Sequence, residues 1–216
     1  DDLMIHDEAR NHIRIQPCHS PIWDTGIAAY ALTDAGLHNE AEPMRRCADW
    51  LVAKECREPG DWVANVRKPV EPSGWYFEFN NGFYPDVDDT AMVAMALKRI
   101  GGDKAVQSAQ RGVAWLFAMQ NDDGGWAAFD RTVERPLYEH VPFADHNAIQ
   151  DPSCPDITGR TLECLGHLGY GLDDAEVRKA IAFMRYKQEP EGCWFGRWGV
   201  NYIYGTWQVL CGLRTV

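Results

Sequence analysis

The chain has 216 residues, 45% hydrophobic and 25% charged, which fits one large globular domain or a piece of a larger protein. A formal net charge of -11 argues against a nucleic-acid backbone as the natural partner, because phosphate binding needs basic patches, and more weakly against electrostatic capture by an anionic membrane surface. Nine Trp stand out, since side chains this large either pack between repeated units or line a cavity for an apolar ligand. The seven Cys are scattered, with no CxxC pair, and read as reduced cytosolic thiols. No apolar run of about 18 residues predicts a transmembrane helix, and no signal peptide is evident. The chain opens on Asp1-Asp2-Leu3 and stops inside an apolar helical pattern at Leu213-Arg214-Thr215-Val216, so both ends read as cut.

In chain order, a helix over about 23–35 pairs with one over about 41–55, followed by a Gly/Pro/Trp-rich loop over 57–85. Thr90 to Leu97 is apolar nearly all round and predicts a helix buried on most sides, capped by Asp88, Asp89 or Thr90 and ended by Gly101-Gly102. Its partner, about Lys104 to Met119, is amphipathic, with Val106, Ala109, Val113, Leu116 and Phe117 on one stripe. A second long loop covers 120–156, helices follow over about 158–169 and 174–187, and a further buried helix begins at Gly205-Thr206-Trp207. Two interleaved series repeat in phase. Trp62, Trp126 and Trp194 are 64 and 68 positions apart, and Thr25, Thr90 and Thr158 are 65 and 68 apart. The repeats therefore run about 23–62, 88–126 and 157–194, with the further helix from about 205. All-round apolar helices alternating with one-sided ones predict an inner and an outer ring. The fold class is all-α, an α/α barrel of which only part is present.

Asp86, Asp88 and Asp89 crowd three carboxylates into four positions at a helix entrance. Like charges this close raise at least one pKa and share a proton, which is how a carboxyl becomes a general acid near neutral pH. From spacing alone, helix capping and a divalent-metal site compete with acid catalysis. Aromatics surround the question: Trp75, Tyr76, Phe77, Phe79, Phe83 and Tyr84 upstream, and Trp23, Phe129, Phe195, Trp198, Tyr202 and Tyr204 elsewhere. Aromatic faces stabilise cations without attacking them, so an acid facing such a cavity suits alkene protonation and carbocation rearrangement. Taken singly, each aromatic is better explained by packing between repeats. His140, Asp145 and His146 fit no zinc spacing, and no nucleophile elbow, P-loop or dinucleotide fingerprint appears.

Asp86-Val87-Asp88-Asp89-Thr90-Ala91 resembles the DxDDTA signature of squalene-hopene cyclases. The segments Arg111-Gly112 through Trp115-Leu116 and Gln120 to Gly125-Trp126, and Lys179-Ala180 through Phe183 and Gln188 to Cys193-Trp194, resemble the QW repeats of that family. The blocks Ser20 to Gly26 and Gly196 to Thr206 resemble it too, so the likeness covers essentially the whole chain. It implies a central part of the catalytic barrel of a larger two-domain enzyme. That enzyme cyclises squalene to hopene or hopanol without metal or organic cofactor. It also implies monotopic attachment on the cytoplasmic side of a bacterial-type membrane, and it leaves room for a homodimer. Asp88 matches the acid that protonates the terminal alkene, with Asp86 and Asp89 as flanking carboxylates. Trp23, Phe77 and Trp198 match aromatic positions lining the cavity, and Tyr84 and Tyr204 fall in matching blocks. Three positions depart from the pattern. Arg160, four residues after Asp156, stands where the family pattern has a His; a fixed cation there is expected to hold Asp86 or Asp89 ionised and leave the proton on Asp88. Phe129 stands where some members have Tyr, and Glu55 replaces the Gln of the first repeat. Oxidosqualene cyclases resemble a pattern with a single acid Asp, and class II diterpene cyclases share DxDD but lack this set of QW units. A non-catalytic α/α scaffold would leave the acid cluster unexplained.

Overall fold

The computed structural model describes residues 4–15, 18–78, 81–131, 135–141 and 149–216. Phe79, Asp145 and His146 lie outside these residues. The described residues contain seven α-helices: α1 Pro21–Asp34, α2 Glu42–Ala53, α3 Val87–Ile100, α4 Asp103–Met119, α5 Pro155–His167, α6 Ala175–Tyr186 and α7 Asn201–Thr215. Proline at the start of α1, α2 and α5 sits where the missing N–H is no loss. Before them an antiparallel hairpin, β1 Met4–Asp7 with β2 His12–Ile15, departs from the all-helical expectation. Its signals were short: the alternation of Ile13 and Ile15, and a turn whose Asn11 takes φ +50°.

The odd-numbered helices form one row in which α1 packs on α3, α3 on α5 and α5 on α7; α2, α4 and α6 form a second row outside it. This is an arc of an α/α barrel. The α3 helix is buried at every position from Asp89 to Leu97, as an element with neighbours on both sides and behind must be. The α5 helix is buried from Pro155 to Leu162, polar residues included. The α5–α7 crossing brings backbones into contact: a Cβ on Gly212 would lie 2.3 Å from the Gly159 carbonyl oxygen. The α7 helix begins four residues earlier than expected and is buried on one face only, through Gly205, Gln208, Val209 and Gly212. Ile203, Trp207 and Leu210 on its other face are exposed.

One device joins successive repeats. The Trp126 indole N–H donates to the Leu116 carbonyl (2.7 Å), and its backbone N–H donates to the Thr158 hydroxyl of the next inner helix (2.9 Å). Trp194 repeats this on Met184 (2.8 Å) and Thr206 (2.9 Å). In the first repeat the same bonds are made by Trp75, on Leu51 (2.7 Å) and Thr90 (3.0 Å). The first repeat therefore closes at Trp75, not Trp62. Extra loop length separates α2 from its latch and displaces the expected 64-residue step. Trp62 packs edge-on to Trp115 instead.

Glu55 occupies the place of Gln120 and Gln188, four residues after the carbonyl that each latch uses. Gln120 donates to the Gly124 and Glu176 carbonyls, bridging to α6. Glu55 bridges to α4 with charge: it accepts from Arg111 Nε (2.9 Å) and Nη2 (2.6 Å), Ser108 (2.6 Å) and Ser73 (2.7 Å). Burial pushes its pKa up, but the donors from Arg111, Ser108, Ser73 and Arg57 outweigh burial and hold it below the usual carboxylate value. A carboxylate with a depressed folded pKa stabilises above its unfolded value and loses that contribution as pH falls through the folded one. Glu55→Ala is expected to destabilise by about 3 kcal/mol at neutral pH, because it strands Arg111. In denaturant titrations the gap to the parent should narrow as pH drops below about 4; a gap independent of pH would contradict this.

Candidate active site

The acid trio sits at the first turn of α3. Asp86 is the cap: its Oδ1 accepts the Asp89 N–H (2.8 Å), while its own N–H donates to the Trp75 carbonyl (2.9 Å). The Val87 N–H donates to the Ala128 carbonyl (2.8 Å), so the loops on both sides of the α3–α4 pair grip this turn. Asp86 and Asp89 are buried, and Asp88 is the most open of the three. Burial pushes Asp86 up to about 7, helped by the charge of Asp88 and opposed by the Asp89 N–H. Burial, then the Asp86 charge, pushes Asp89 well above the carboxylate range. Asp88 is raised by burial and by Asp156, and pulled back by Arg160.

Arg160, one of the most buried cations in the chain, donates through Nε to Asp88 Oδ1 (2.7 Å) and through Nη2 to the Tyr204 hydroxyl (2.7 Å). Its guanidinium lies 5.0 Å from the Trp23 ring centroid. The expectation that Arg160 would pair with Asp86 or Asp89 is corrected: it pairs with Asp88. The reason is angular. Successive residues on a helix are turned by about 100°, so one position separates the side of α3 that meets α5 from the side that faces its own cap.

Asp156 does not complete that pair. Its Oδ2 accepts the backbone N–H groups of Trp198 (2.7 Å) and Gly199 (3.1 Å), fixing the loop that carries the Trp198 ring. The loop passes so close to Tyr204 that a Cβ on Gly199 would lie 1.8 Å from that ring. Beyond it Val200 is held at φ +53°, a left-handed conformation that a β-branched residue adopts only under constraint.

These groups enclose a cavity of about 480 Å³, walled by Trp23, Phe77, Phe129, Trp198 and Tyr204 with the three carboxylates among them. Phe129 meets Trp198 edge-on at 5.8 Å. Tyr84 lies outside the cavity wall, stacked against Phe129 at 5.4 Å as a backing layer. Trp75 and Tyr76 are core, Phe83 is exposed, and Phe195 with Tyr202 forms an exposed edge-on pair. Sequence reasoning missed Glu78 and Asn81, polar residues on the rim whose only signal was their place in the aromatic loop. On the far side of Arg160 and Tyr204 lies a second hollow of about 350 Å³, reached by Tyr30, Met92, Met95, Glu163 and Trp207. His140 ends a short 3-10 turn, apart from the cavity wall.

An acid trio, a fixed cation and an aromatic wall are the equipment for making and holding a carbocation. Residues 19–216 match the family described as the squalene-hopene cyclase C-terminal domain. The chain belongs to that family. It is 44% identical over 206 residues to the squalene–hopene cyclase of Bradyrhizobium diazoefficiens, covering 92% of this chain and 31% of that one. Against the squalene–hopene cyclase of Alicyclobacillus acidocaldarius it is 42% identical over 203 residues, 91% of this chain and 32% of that one. A fungal relative of the same name, from Schizosaccharomyces japonicus, is 39% identical over 207 residues, 92% and 31% of the two chains. The chain thus spans about a third of the length of the curated relatives it matches. The family fold is an α/α barrel, of which the seven helices are an arc. No helix among the described residues is long and apolar enough to cross a membrane.

Removing the cation tests the electrostatics. In Arg160→Leu the influence that lowers the Asp88 pKa is gone, so that pKa rises further. A carboxyl whose folded pKa lies above its unfolded value destabilises while charged, and the penalty lifts as pH falls through the folded value. The variant should lose about 3 kcal/mol at neutral pH and recover part of it on acidification, read by urea unfolding across pH. A loss equal at every pH would show that Arg160 stabilises by packing alone.

Proposed function

We propose that this site protonates the terminal alkene of squalene and steers the resulting carbocation through polycyclisation to hopene or hopanol. The observation that carries the reading is the placement of three carboxyls with raised pKa, two of them buried, on the wall of an otherwise aromatic cavity. An unactivated alkene is a weak base, so protonating it needs a neutral carboxyl kept out of water, with charges arranged beforehand to favour the cation. The Asp86–Asp88–Asp89 group supplies the proton: an O–H bond breaks, the alkene π pair forms the new C–H bond, and a tertiary cation remains. Phe77, Phe129, Trp198 and Tyr204 present ring faces and edges to the cation without a nucleophile that would trap it. Asp156 acts by holding Trp198 in place, and Tyr84 by backing Phe129.

The names of the relatives support squalene as the apolar substrate, and the 480 Å³ cavity suits one isoprenoid end of it. Each ring closure converts a π bond into a σ bond, so the chemistry runs downhill once begun and calls on no cofactor. On this reading residues 1–216 are part of the catalytic barrel of a larger two-domain enzyme. It meets the membrane as a monotopic protein on the cytoplasmic side and draws squalene from the bilayer. An oxidosqualene cyclase opens an epoxide, which needs a weaker acid than three stacked carboxyls provide, and is the second reading.

The deciding assay offers squalene and 2,3-oxidosqualene separately to the full-length protein and identifies products by mass spectrometry. Pentacyclic product from squalene is expected, and product from oxidosqualene alone would move the assignment to the second reading. Asp88→Asn should lower turnover at least about a hundredfold, the lower end of what positioned acids and their charge partners contribute. Unchanged turnover would remove the acid group from the mechanism.

A further inference from the structure

We propose that the pocket between α4 and α6 binds a phosphate dianion, the head of a soluble phosphate monoester or of phosphatidic acid. The pocket shares no residue with the aromatic cavity, and the inference is independent of the cyclase reading.

The joints between successive outer helices are built alike and charged differently. Gln120 follows Glu55 by 65 positions and Lys179 follows Arg111 by 68, the steps of the repeat. In the first joint the cation has its own anion, since Glu55 accepts from both Nε and Nη2 of Arg111. In the second joint Gln120 is neutral and spends its amide N–H groups on the Gly124 and Glu176 carbonyls. Lys179 therefore has no carboxylate at the corresponding place, and it makes no ion pair among the described residues.

Around this second joint lies a pocket of about 360 Å³ in which four cations, Arg67, Lys68, Arg131 and Lys179, meet two carboxylates, Asp122 and Glu176. Asp122 serves both Arg67 and, at 3.0 Å, Arg131. Arg131 is buried, and its Nη1 and Nε donate to the Asn65 (2.7 Å) and Gln120 (3.1 Å) carbonyls. It thereby ties the loop that carries Arg67 and Lys68 to the end of α4. Lys68 and Glu176, like Lys179, make no ion pair among the described residues.

Four cations against two carboxylates leave two positive charges in excess, within a chain whose net charge is -11. The basic character is thus local to the pocket, and a dianion balances it. A phosphate monoester carries close to two charges at neutral pH and offers three acceptor oxygens. Those oxygens accept from an arginine fork and from ammonium groups at once. Val70, Phe117 and Ala118 line the same pocket and supply an apolar wall for the organic part of an ester.

Calorimetric titration of the full-length protein with inorganic phosphate, at about pH 7.5 in a phosphate-free buffer, tests the site. One saturable site is expected. The double variant Lys68→Gln, Lys179→Gln should weaken it at least about tenfold, the loss of one charge-assisted hydrogen bond. Both lysines are exposed, so the double variant keeps its fold. Lys98→Gln removes the same kind of charge from the exposed side of α3 and should leave the affinity unchanged. No saturable binding, undiminished affinity in the double variant, or an equal loss in Lys98→Gln overturns the proposal. Vesicles of phosphatidylcholine with and without phosphatidic acid then separate the two sources. Displacement of phosphate by the acidic vesicles alone assigns the site to a lipid head, and no displacement assigns it to a soluble ester.

Discussion

Each repeat is tied by a tryptophan held at both ends. The indole N–H donates to a carbonyl near the C-terminal end of an outer helix, and the backbone N–H reaches a Thr near the start of the next inner helix. Because the Thr lies in the first two turns of the inner helix, this latch ties the outer helix to the inner helix's entrance. At Trp75 the entrance so placed is Asp86 to Asp89, and the Trp75–Asp86 backbone bridge continues the same strand of contacts into the acid site. The geometry of the acid cluster is thus an extension of the repeat's own joint, set where three backbone segments converge.

Charge in this region is settled by α5, which carries both Asp156 and Arg160 one turn apart. The turn spacing puts the two side chains on one face, but they serve different neighbours: Asp156 the Trp198 loop, Arg160 the Asp88 carboxylate and Tyr204. A buried guanidinium is tolerated because its donors find a carboxylate, a phenol and the Met92 sulfur. Burial raises all three carboxyls of the cluster, and the Arg160 charge pulls Asp88 and Asp89 back.

Much of this was legible beforehand. Seven helices were visible as an alternation of all-round and one-sided apolar patterns, the acid cluster was visible by its spacing, and the family resemblance named Trp23, Phe77 and Trp198, which lie on one cavity wall with Phe129 and Tyr204. What escaped shares one cause: local pattern carries no information on which of two similar groups a chain fold selects. Trp62 and Trp75 both follow a glycine-containing turn, and only the hydrogen bonds choose Trp75. Arg160 had three carboxylates to choose from, and the helix angle chose Asp88. Tyr84 is aromatic and adjacent to the site, yet it sits one layer back. Burial of α7 was overstated because an apolar sequence does not say whether a neighbour is present on both sides.

The stacking of Arg160 on Trp23 has a consequence for the aromatic wall. An aromatic face has one concentration of negative potential, and a guanidinium 5.0 Å from the Trp23 centroid already draws on it. A second positive charge approaching the opposite face of that ring meets the like charge of Arg160 behind it. On the proposed mechanism a carbocation in the cavity is repelled from the Trp23 side towards Phe77, Phe129 and Trp198, so the same contact that anchors Arg160 gives the cavity a direction.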